Sequence, residues 1–264
     1  MLYTPPWFAG TIMIDAHIKL SVVIPALNEA ARLPATLASI DRFLASSSDL
    51  LPAEIIVVDD GSTDGTDAFV RGLSPSSGIR LHLCQHDFNR GKGAAVRSGF
   101  SLSSGKQVLL CDADLATPIE EVRTLLGASS GSCVVVGSRA LDRELISTPQ
   151  PLYRDLMGRT FNLLVRLLVL RGVWDTQCGF KLFPGWVAHA LATAQRIDGF
   201  AYDVEYLALA RVWGVTIQEV GVRWGHVEES RVLPGRHSLQ MFRDLFRISL
   251  RRWAGLFPAG PERG

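Results

Sequence analysis

The sequence predicts an α/β fold built on a mostly parallel sheet. Three observations carry that expectation: short continuous apolar runs recur between residues 20 and 140, polar or glycine-bearing turns follow them, and helix-period segments separate them. Apolar runs without alternation suit strands covered on both faces.

The first run, Leu20 to Pro25 (LSVVIP), reads as a strand. Leu33, Leu37, Ile40 and Leu44 then recur at helical spacing, with Pro34 in the first turn, where its missing N–H is tolerated. A second strand, Glu54 to Val58, precedes the turn DDGSTDGT and a helix from about Asp64 to Leu73. Ile79 to Cys84 is the third strand, NRGKGAAVRSGF reads as a glycine-rich turn, and Gln107 to Cys111 is the fourth strand. Thr117, Pro118 and Glu120 have the spacing of a capping box with proline at the first helical position, so a helix is expected to start at once. Val134 to Val136 is the next strand. Beyond residue 150 the pattern turns helical, over about 152 to 171, 185 to 195 and 203 to 213, then gives a strand from Thr216 to Trp224 and a helix from about Ser238. No internal repeat or low-complexity linker interrupts the chain, so residues 1 to 264 are expected to form a single domain with a C-terminal elaboration.

A chain of 264 residues, 47% hydrophobic and 20% charged, can bury a substantial core, and a net charge of +1 argues against a general nucleic-acid binder. The charge is uneven: six arginines and one acid, Asp244, lie between Arg231 and Trp253. Cys84, Cys111, Cys133 and Cys178 are far apart and form no C-x-x-C pair, which points to thiols of a reducing compartment. The N-terminal segment lacks the basic start and unbroken apolar stretch of a signal peptide, and no run of 18 uncharged apolar residues occurs. A cytoplasmic protein without a spanning helix is therefore expected.

Ligands of such sheets bind outside the carboxyl ends of the strands. Asn28 with Glu29, Asp59 with Asp60, and Asp112 with Asp114 each follow directly on a separate strand. The pair Asp112 and Asp114 suits a hard divalent cation that also touches phosphate oxygens, and it equally suits a charge pair at a helix start. With 16 aspartates in the chain, roughly one D-x-D arises by chance, so the tripeptide alone decides nothing. Of Asp59 and Asp60, either both serve a ligand or one shapes the turn; Asn28 and Glu29 also fit a helix start. The loop NRGKG lacks the G-x-x-x-x-G-K-[ST] spacing, no G-x-G-x-x-G follows the first strand, and neither G-x-S-x-G nor H-E-x-x-H occurs. P-loop, dinucleotide, hydrolase-elbow and zincin chemistries are thereby disfavoured.

In order along the chain, VVIPALNEA, EIIVVDDGSTDGT, NRGKGAAVRSGF, DADLATP and VVGSR resemble glycosyltransferase family 2. DADLATP, YRDLMGRTFN, DTQCGFKLF, GFAYDVEYLALA and VRWGHVEESRV are similar to its dolichyl-phosphate β-glucosyltransferase branch and bacterial polyprenyl-phosphate relatives. The resemblance covers roughly residues 20 to 253. It implies a GT-A fold: a Rossmann-like, mostly parallel sheet whose residues 20 to 140 bind a nucleotide sugar, followed by a helical, membrane-facing half over residues 141 to 257. The implied activity is inverting transfer of glucose from UDP-glucose to a polyprenyl or dolichyl monophosphate. Pro25, Asn28, Glu29, Asp59, Asp60, Lys92, Asp112 and Ala113 would surround the donor, and Asp112 and Asp114 would hold Mg²⁺ or Mn²⁺. Arg139 and Arg154 would hold the acceptor phosphate, making Asp114, Arg139 and Arg154 the catalytic set. Asp175, Gln177 and the pair Asp203 and Glu205 would line the sugar pocket, and Ser230 and Arg231 would touch the diphosphate. The chain departs from the pattern at Ala116, where mannosyl relatives often have a metal-binding glutamine, at Gly158, where they have a serine, and at Glu229, where the branch usually has glycine. A GDP-mannose donor or a soluble acceptor would keep the same fold, and so would a membrane-surface binding module without activity.

The segment HSLQMFRDLFRISLRRWAGLF places Leu239, Phe242, Phe246, Leu250, Trp253 and Phe257 on one helical stripe, with Arg243, Arg247 and Arg251 beside it. A basic amphipathic helix with tryptophan suits an anionic membrane surface; the same stripe also suits packing on the domain. The helix expected over 152 to 171 adds an apolar surface with Arg159, Asn162 and Arg166 along one side.

Overall fold

The computed structural model describes residues 17–226 and 236–261, the side chains of Arg154, Arg236 and His237 excepted. Ser230 and Arg231 lie outside the described residues. The strands are β1 (Leu20–Ala26), β2 (Ala53–Asp59), β3 (Ile79–Gln85), β4 (Gln107–Leu110), β5 (Val134–Ser138), β6 (Ile146–Thr148), β7 (Lys181–Pro184), β8 (Ile217–Gly221) and β9 (Trp224–Gly225). The helices are α1 (Leu33–Ala45), α2 (Thr66–Arg71), α3 (Lys92–Leu102), α4 (Val122–Ala128), α5 (Leu152–Leu168), α6 (Gly185–Ala194), α7 (Tyr202–Val212) and α8 (Arg236–Trp253).

Seven strands form one sheet in the order β3-β2-β1-β4-β7-β5-β8, and β6 pairs with β9 in a separate ribbon. The pairs β1·β2, β1·β4, β2·β3 and β5·β8 are parallel, while β7 runs antiparallel to both β4 and β5. The apolar runs alternate only in which helical layer they meet. Val22 and Ile24 of β1 pack with Leu33, Leu37, Ile40 and Leu44 of α1, whereas Val23 packs with Ala95, Val96 and Phe100 of α3. Both faces are dry, which is why the run carries no polar residue at its centre. An aromatic group fixes the α3 side: Phe100 lies 5.1 Å from Phe183 and 5.5 Å from Tyr206, ring centre to ring centre.

The structure differs from the sequence reading at several points. NRGKGAAVRSGF is not a turn throughout; from Lys92 it is α3, because Ala94, Ala95, Val96 and Phe100 bury one side of it. The capping box is not formed: Pro118 is extended, Ile119–Glu121 make a single 3₁₀ turn, and α4 starts only at Val122. The helix expected over 152 to 171 ends at Leu168, and the strand expected over 216 to 224 ends at Gly221, with Trp224 in the β6–β9 ribbon. The strands β6 and β7 have no counterpart in the reading.

The single stripe expected on α8 is divided. Phe242 packs against Phe161 at 5.9 Å and Phe257 lies under Arg251, while Leu239, Phe246, Leu250 and Trp253 stay exposed. Arg251 does not sit beside a surface stripe; it bonds Glu205 of α7, which is fully buried, accepts from Arg196 N and Ile197 N as well, and so does not line a sugar pocket. On α5, Asn162 turns inward, its Oδ1 accepting from Thr176 N and Oγ1 at 3.1 and 2.8 Å, so it does not line up with Arg159 and Arg166 at the surface.

Candidate functional site

Because β1, β2, β4 and β5 are mutually parallel, their carboxyl ends share one sheet edge, and the antiparallel β7 begins there. The polar residues following those strands are therefore neighbours in space although they are scattered in sequence.

At the β1 end, Asn28 adopts a left-handed backbone (φ 54°), its N–H donates to Ser62 Oγ at 2.8 Å, and its Oδ1 accepts from Thr63 N at 2.9 Å. Glu29 is held by Arg32 through two bonds, Nε to Oε2 at 2.8 Å and an Nη2 nitrogen to Oε1 at 2.6 Å. Pro25 stands beside Val58 near the end of β1. Asp59 is buried and accepts from Ser62 N at 3.0 Å. These contacts stitch the β1 and β2 loops into one wall.

Asp60 is oriented differently. One carboxylate oxygen takes His86 Nδ1–H at 2.7 Å and Arg90 N–H at 2.9 Å, and the other takes Gly91 N–H at 2.8 Å. It is 3% exposed, so its carboxylate shapes the loop before α3 instead of facing the cleft. Gly61 permits this: at φ +78° a Cβ there would lie 2.5 Å from the Phe88 carbonyl carbon.

The D-x-D turn leaves β4 between these walls. Thr36 of α1 donates to the Ala113 carbonyl at 2.6 Å, and Asp114 accepts from Ala116 N at 3.1 Å, with Leu115 at φ 47°. Burial and the neighbouring Asp112 raise the Asp114 pKa, with Lys92 and Arg32 opposing. Lys92, the first residue of α3, donates to Asp112 Oδ1 at 2.6 Å. Burial disfavours its charge, but Asp112, together with Asp114 and Asp203, more than offsets that and raises its pKa.

Gly179 lies against the other side of Asp112. A Cβ there would come within 1.8 Å of Asp112 Oδ2, so the carboxylate fills the space a side chain would occupy. Next in the chain, Lys181 is 1% exposed, donates to the Cys178 carbonyl at 2.6 Å, and lies 3.7 Å from Asp203 Oδ2. Burial pushes the Asp203 pKa up to about 6 against the pull of Lys181 and Lys92.

The β5 end carries Arg139. Its Nε and an Nη2 nitrogen donate to Asp175 at 2.7 and 2.8 Å, its backbone N–H donates to the same carboxylate at 3.0 Å, and its guanidinium lies 5.4 Å from the Trp224 ring centre. Burial works against the ionised Asp175, yet Arg139 and Lys181 hold its pKa below the usual carboxylate value. Asp175 is itself fixed by Glu219, which accepts from Trp174 N and Asp175 N at 2.8 Å each. The geometry thus gives Asp175 the task of orienting Arg139; both its oxygens are engaged there. Gln177 donates its backbone N–H to Asp175 at 3.2 Å, so the same carboxylate organises the loop carrying it. Arg154 sits in the first turn of α5, its side chain outside the description.

The donor set fits a hard divalent cation: Asp112 and Asp114 offer carboxylate oxygens at a strand end, and Asp112 already holds one cation, the Lys92 ammonium. Among the described residues no group of three His, Cys, Asp or Glu forms a protein cage, so further ligands would come from a bound diphosphate and water. A cleft lined by Asp112, Leu115, Ala116, Gly179, Phe180 and Trp224 shares three of those residues with a hollow of about 500 Å³ against the β6–β9 ribbon. Sequence reasoning missed Gly179, Lys181, Thr36 and Arg32. Gly179 and Lys181 left a trace only as members of the motif DTQCGFKLF, with no role assigned to either.

The family model of glycosyl transferase family 2 matches residues 21–183. The chain is 37% identical over 254 residues to a dolichyl-phosphate beta-glucosyltransferase of Dictyostelium discoideum, with 91% of this chain and 77% of that protein covered. Its identity to the enzyme of that name from Homo sapiens is 35% over 249 residues, covering 90% and 76%. Glucosyl-3-phosphoglycerate synthase from Mycobacterium tuberculosis, solved with Mn²⁺, UDP and glucosyl-3-phosphoglycerate, has a similar fold: TM-score 0.64, 23% identity, 94% of this chain and 86% of that one covered. Mannosyl-3-phosphoglycerate synthase from Rubrobacter xylanophilus gives TM-score 0.65 at 19% identity, covering 91% and 76%. The expected GT-A architecture is thus present, and a sheet edge gathering a D-x-D turn with the Asn28, Asp59 and Lys92 walls is what the matched region contains: the chain belongs to glycosyltransferase family 2.

Proposed function

We propose that this chain transfers glucose from UDP-glucose to the phosphate of a polyprenyl or dolichyl monophosphate, with inversion at the anomeric carbon. The observation that carries the reading is the placement of a carboxylate pair and a fixed guanidinium, Arg139, at one sheet edge, in a chain closely related over nine-tenths of its length to dolichyl-phosphate beta-glucosyltransferases. Asn28, Glu29 and Asp59 form the nucleotide wall. Mg²⁺ or Mn²⁺ held by Asp112 and Asp114 would supply positive charge to the departing diphosphate.

The acceptor needs no strong base. A phosphate monoester has a second pKa near 6 by analogy with phosphorylated side chains, so at neutral pH it is largely a dianion. One of its oxygens attacks the anomeric carbon, the bond from that carbon to the diphosphate oxygen breaks, and UDP leaves with the electron pair. Arg139 uses two of its five side-chain N–H donors on Asp175, which leaves its outer edge for the phosphate and fixes the direction in which it points. Arg154, in the first turn of α5, is the second cation. Asp203 and Gln177 border the sugar, with Lys181 behind Asp203.

Residues 20 to 140 form the donor half and residues 141 to 257 the acceptor half of one domain. The acceptor half also meets the membrane: Leu156, Leu163 and Leu167 of α5 and Leu239, Phe246, Leu250 and Trp253 of α8 are exposed, with Arg159, Arg243 and Arg247 exposed among them. Apolar groups with interspersed arginines suit an anionic headgroup layer. No helix among the described residues is long and apolar enough to cross a membrane, so α5 and α8 would lie on it. The free thiols Cys111, Cys133 and Cys178 support the cytoplasmic face.

Labelled UDP-glucose, Mg²⁺ and polyprenyl phosphate should give a lipid-linked β-glucosyl phosphate. GDP-mannose should not replace the donor, and an α-linked product by NMR would exclude single displacement. Asp114→Asn should abolish transfer while the protein stays folded, since an amide is a poor ligand for a hard cation; Mn²⁺ binding followed by electron paramagnetic resonance should fall with it.

A further inference from the structure

We propose that His86 is a positioning residue for the donor site: through Asp60 it fixes the chain segment that delivers Lys92 to Asp112. This rests on the reading of Lys92 as a donor-site cation. His86 follows β3 directly and is 6% exposed; its Nδ1 lies 2.7 Å from Asp60 Oδ1 and its Nε2 lies 2.9 Å from Ser98 Oγ, both partners being 3% exposed. The same Asp60 carboxylate takes the N–H groups of Arg90 and Gly91, at 2.9 and 2.8 Å. Lys92 is the next residue, and its ammonium reaches Asp112 Oδ1 at 2.6 Å.

Because Ser98 and Lys92 belong to α3, the contacts close a loop. His86 grips α3 at its middle through Ser98 and at its start through Asp60, Arg90 and Gly91. Asp60 accepts on Oδ1 from the Arg90 N–H as well, so the imidazole carries its proton on Nδ1 and donates. A long side chain such as lysine has many rotamers, and its charge is useful only when its base is held to within about 0.5 Å. Nothing else among the hydrogen bonds of the described residues ties residues 86–91 to Asp60: the carboxylate is met by His86 and the two backbone N–H groups alone.

Gln and Asn separate the two ends of this relay. In His86→Asn the amide nitrogen stands near the position of Nδ1 and keeps Asp60; in His86→Gln it stands near Nε2 and keeps Ser98 only. The experiment is a double-mutant cycle on the dissociation constant of UDP-glucose with Mg²⁺, measured by calorimetry for wild type, His86→Gln, Lys92→Gln and both together. Loss of an outer partner commonly costs about tenfold or more. We expect His86→Gln to weaken binding by about tenfold, Lys92→Gln at least as much, and the double variant to be within about twofold of Lys92→Gln alone. His86→Asn should recover most of the loss.

Multiplicative losses in the double variant would show that His86 acts elsewhere, and equal losses for Asn and Gln would reduce it to packing; either result overturns the proposal. If Lys92→Gln binds normally, Lys92 is no donor-site residue and the inference falls with that reading. Should Gln at 86 prevent folding, Ser98→Ala takes its place in the cycle, with a loss of about threefold and the same non-additivity expected.

Discussion

The sharpest consequence of the site geometry concerns Gly179→Ala. The added methyl would start 1.8 Å from Asp112 Oδ2 and 2.3 Å from its Cγ, whereas non-bonded carbon atoms are comfortable only at about 3.5 Å or more. Roughly 1.5 Å of overlap has to be relieved. The atoms in the way are the end of a side chain, so Asp112 can rotate away and the fold should survive. What is lost is the direction of the carboxylate, and with it the 2.6 Å bond from Lys92 and one of the two oxygen donors of the D-x-D turn. A hydrogen bond to a charged group contributes about 1.5–3 kcal/mol. At 1.36 kcal/mol per factor of ten this becomes a loss of about 10- to 150-fold. The expected result is a fall of that size in kcat/KM with UDP-glucose and in calorimetric UDP-glucose affinity, with Tm nearly unchanged. Combined with Asp112→Ala, the glycine substitution should add nothing further. Affinity within about threefold of wild type, or additive losses in the pair, would refute the view that Gly179 exists to make room for Asp112.

Two other outcomes follow from the same structure. Burial raises the Asp203 pKa from 3.8 to about 6 against Lys181 and Lys92, so the native state binds the proton more tightly than the unfolded chain does. The cost of ionising it is absent below the unfolded value and complete above the folded one. Asp203→Asn should therefore gain about 2 kcal/mol relative to wild type between about pH 4.5 and 7.5, whatever constant cost it carries for leaving Lys181; a pH-independent difference in urea midpoints would contradict this. On α8, Phe246→Glu should leave Tm unchanged and weaken sedimentation with anionic liposomes, which high salt should also weaken. Phe242→Glu, at the contact of this partly buried ring with buried Phe161, should cost about 3 kcal/mol, and equal effects of the two on stability would mean that the helix faces have been misassigned.

The first part of the sheet was legible because its polar residues sit where apolar runs stop. The central residues of these strands, 22–24 of β1, 55–58 of β2 and 108–110 of β4, are all apolar, so the strand ends, and hence Asn28, Asp59 and Asp112, could be placed at one edge from sequence alone. β7 was not legible. It is four residues long, begins with a lysine and ends with a proline, and its pairing with β4 and β5 is set by partners 45 to 77 positions away. The role of Asp175 was hidden for the same reason, since Arg139 stands 36 positions earlier. Asp60 looked equivalent to Asp59, and only the third dimension shows it turned toward His86. On α8 the pattern contained two apolar faces. At about 100° per residue, Met241, Leu245 and Ile248 lie roughly 150° around the helix from Leu239, Phe246 and Leu250, and periodicity cannot say which of two faces finds a partner.

The antiparallel strand β7 has a wider meaning. The chain leaves the sheet after Ser138, makes the β6 strand, α5 and the Asp175 loop, and returns at Lys181 beside the strand it left: Val136 pairs with Lys181, and Gly137 N–H donates to the Phe180 carbonyl at 3.0 Å. Departure and return are thus one strand spacing apart, about 4.8 Å. Its two ends are clamped by strand pairing, so the exposed stretches within it can change in length without moving β1, β2 or β4, whereas Phe161, Val165, Val169, Leu170 and Val173 pack into the core with Val23 and Ile56 and must stay. Under the proposed function, a chimera that exchanges the exposed stretches of residues 139–178 while keeping those five core residues, Gly179 and Lys181 would test whether acceptor choice separates from donor choice.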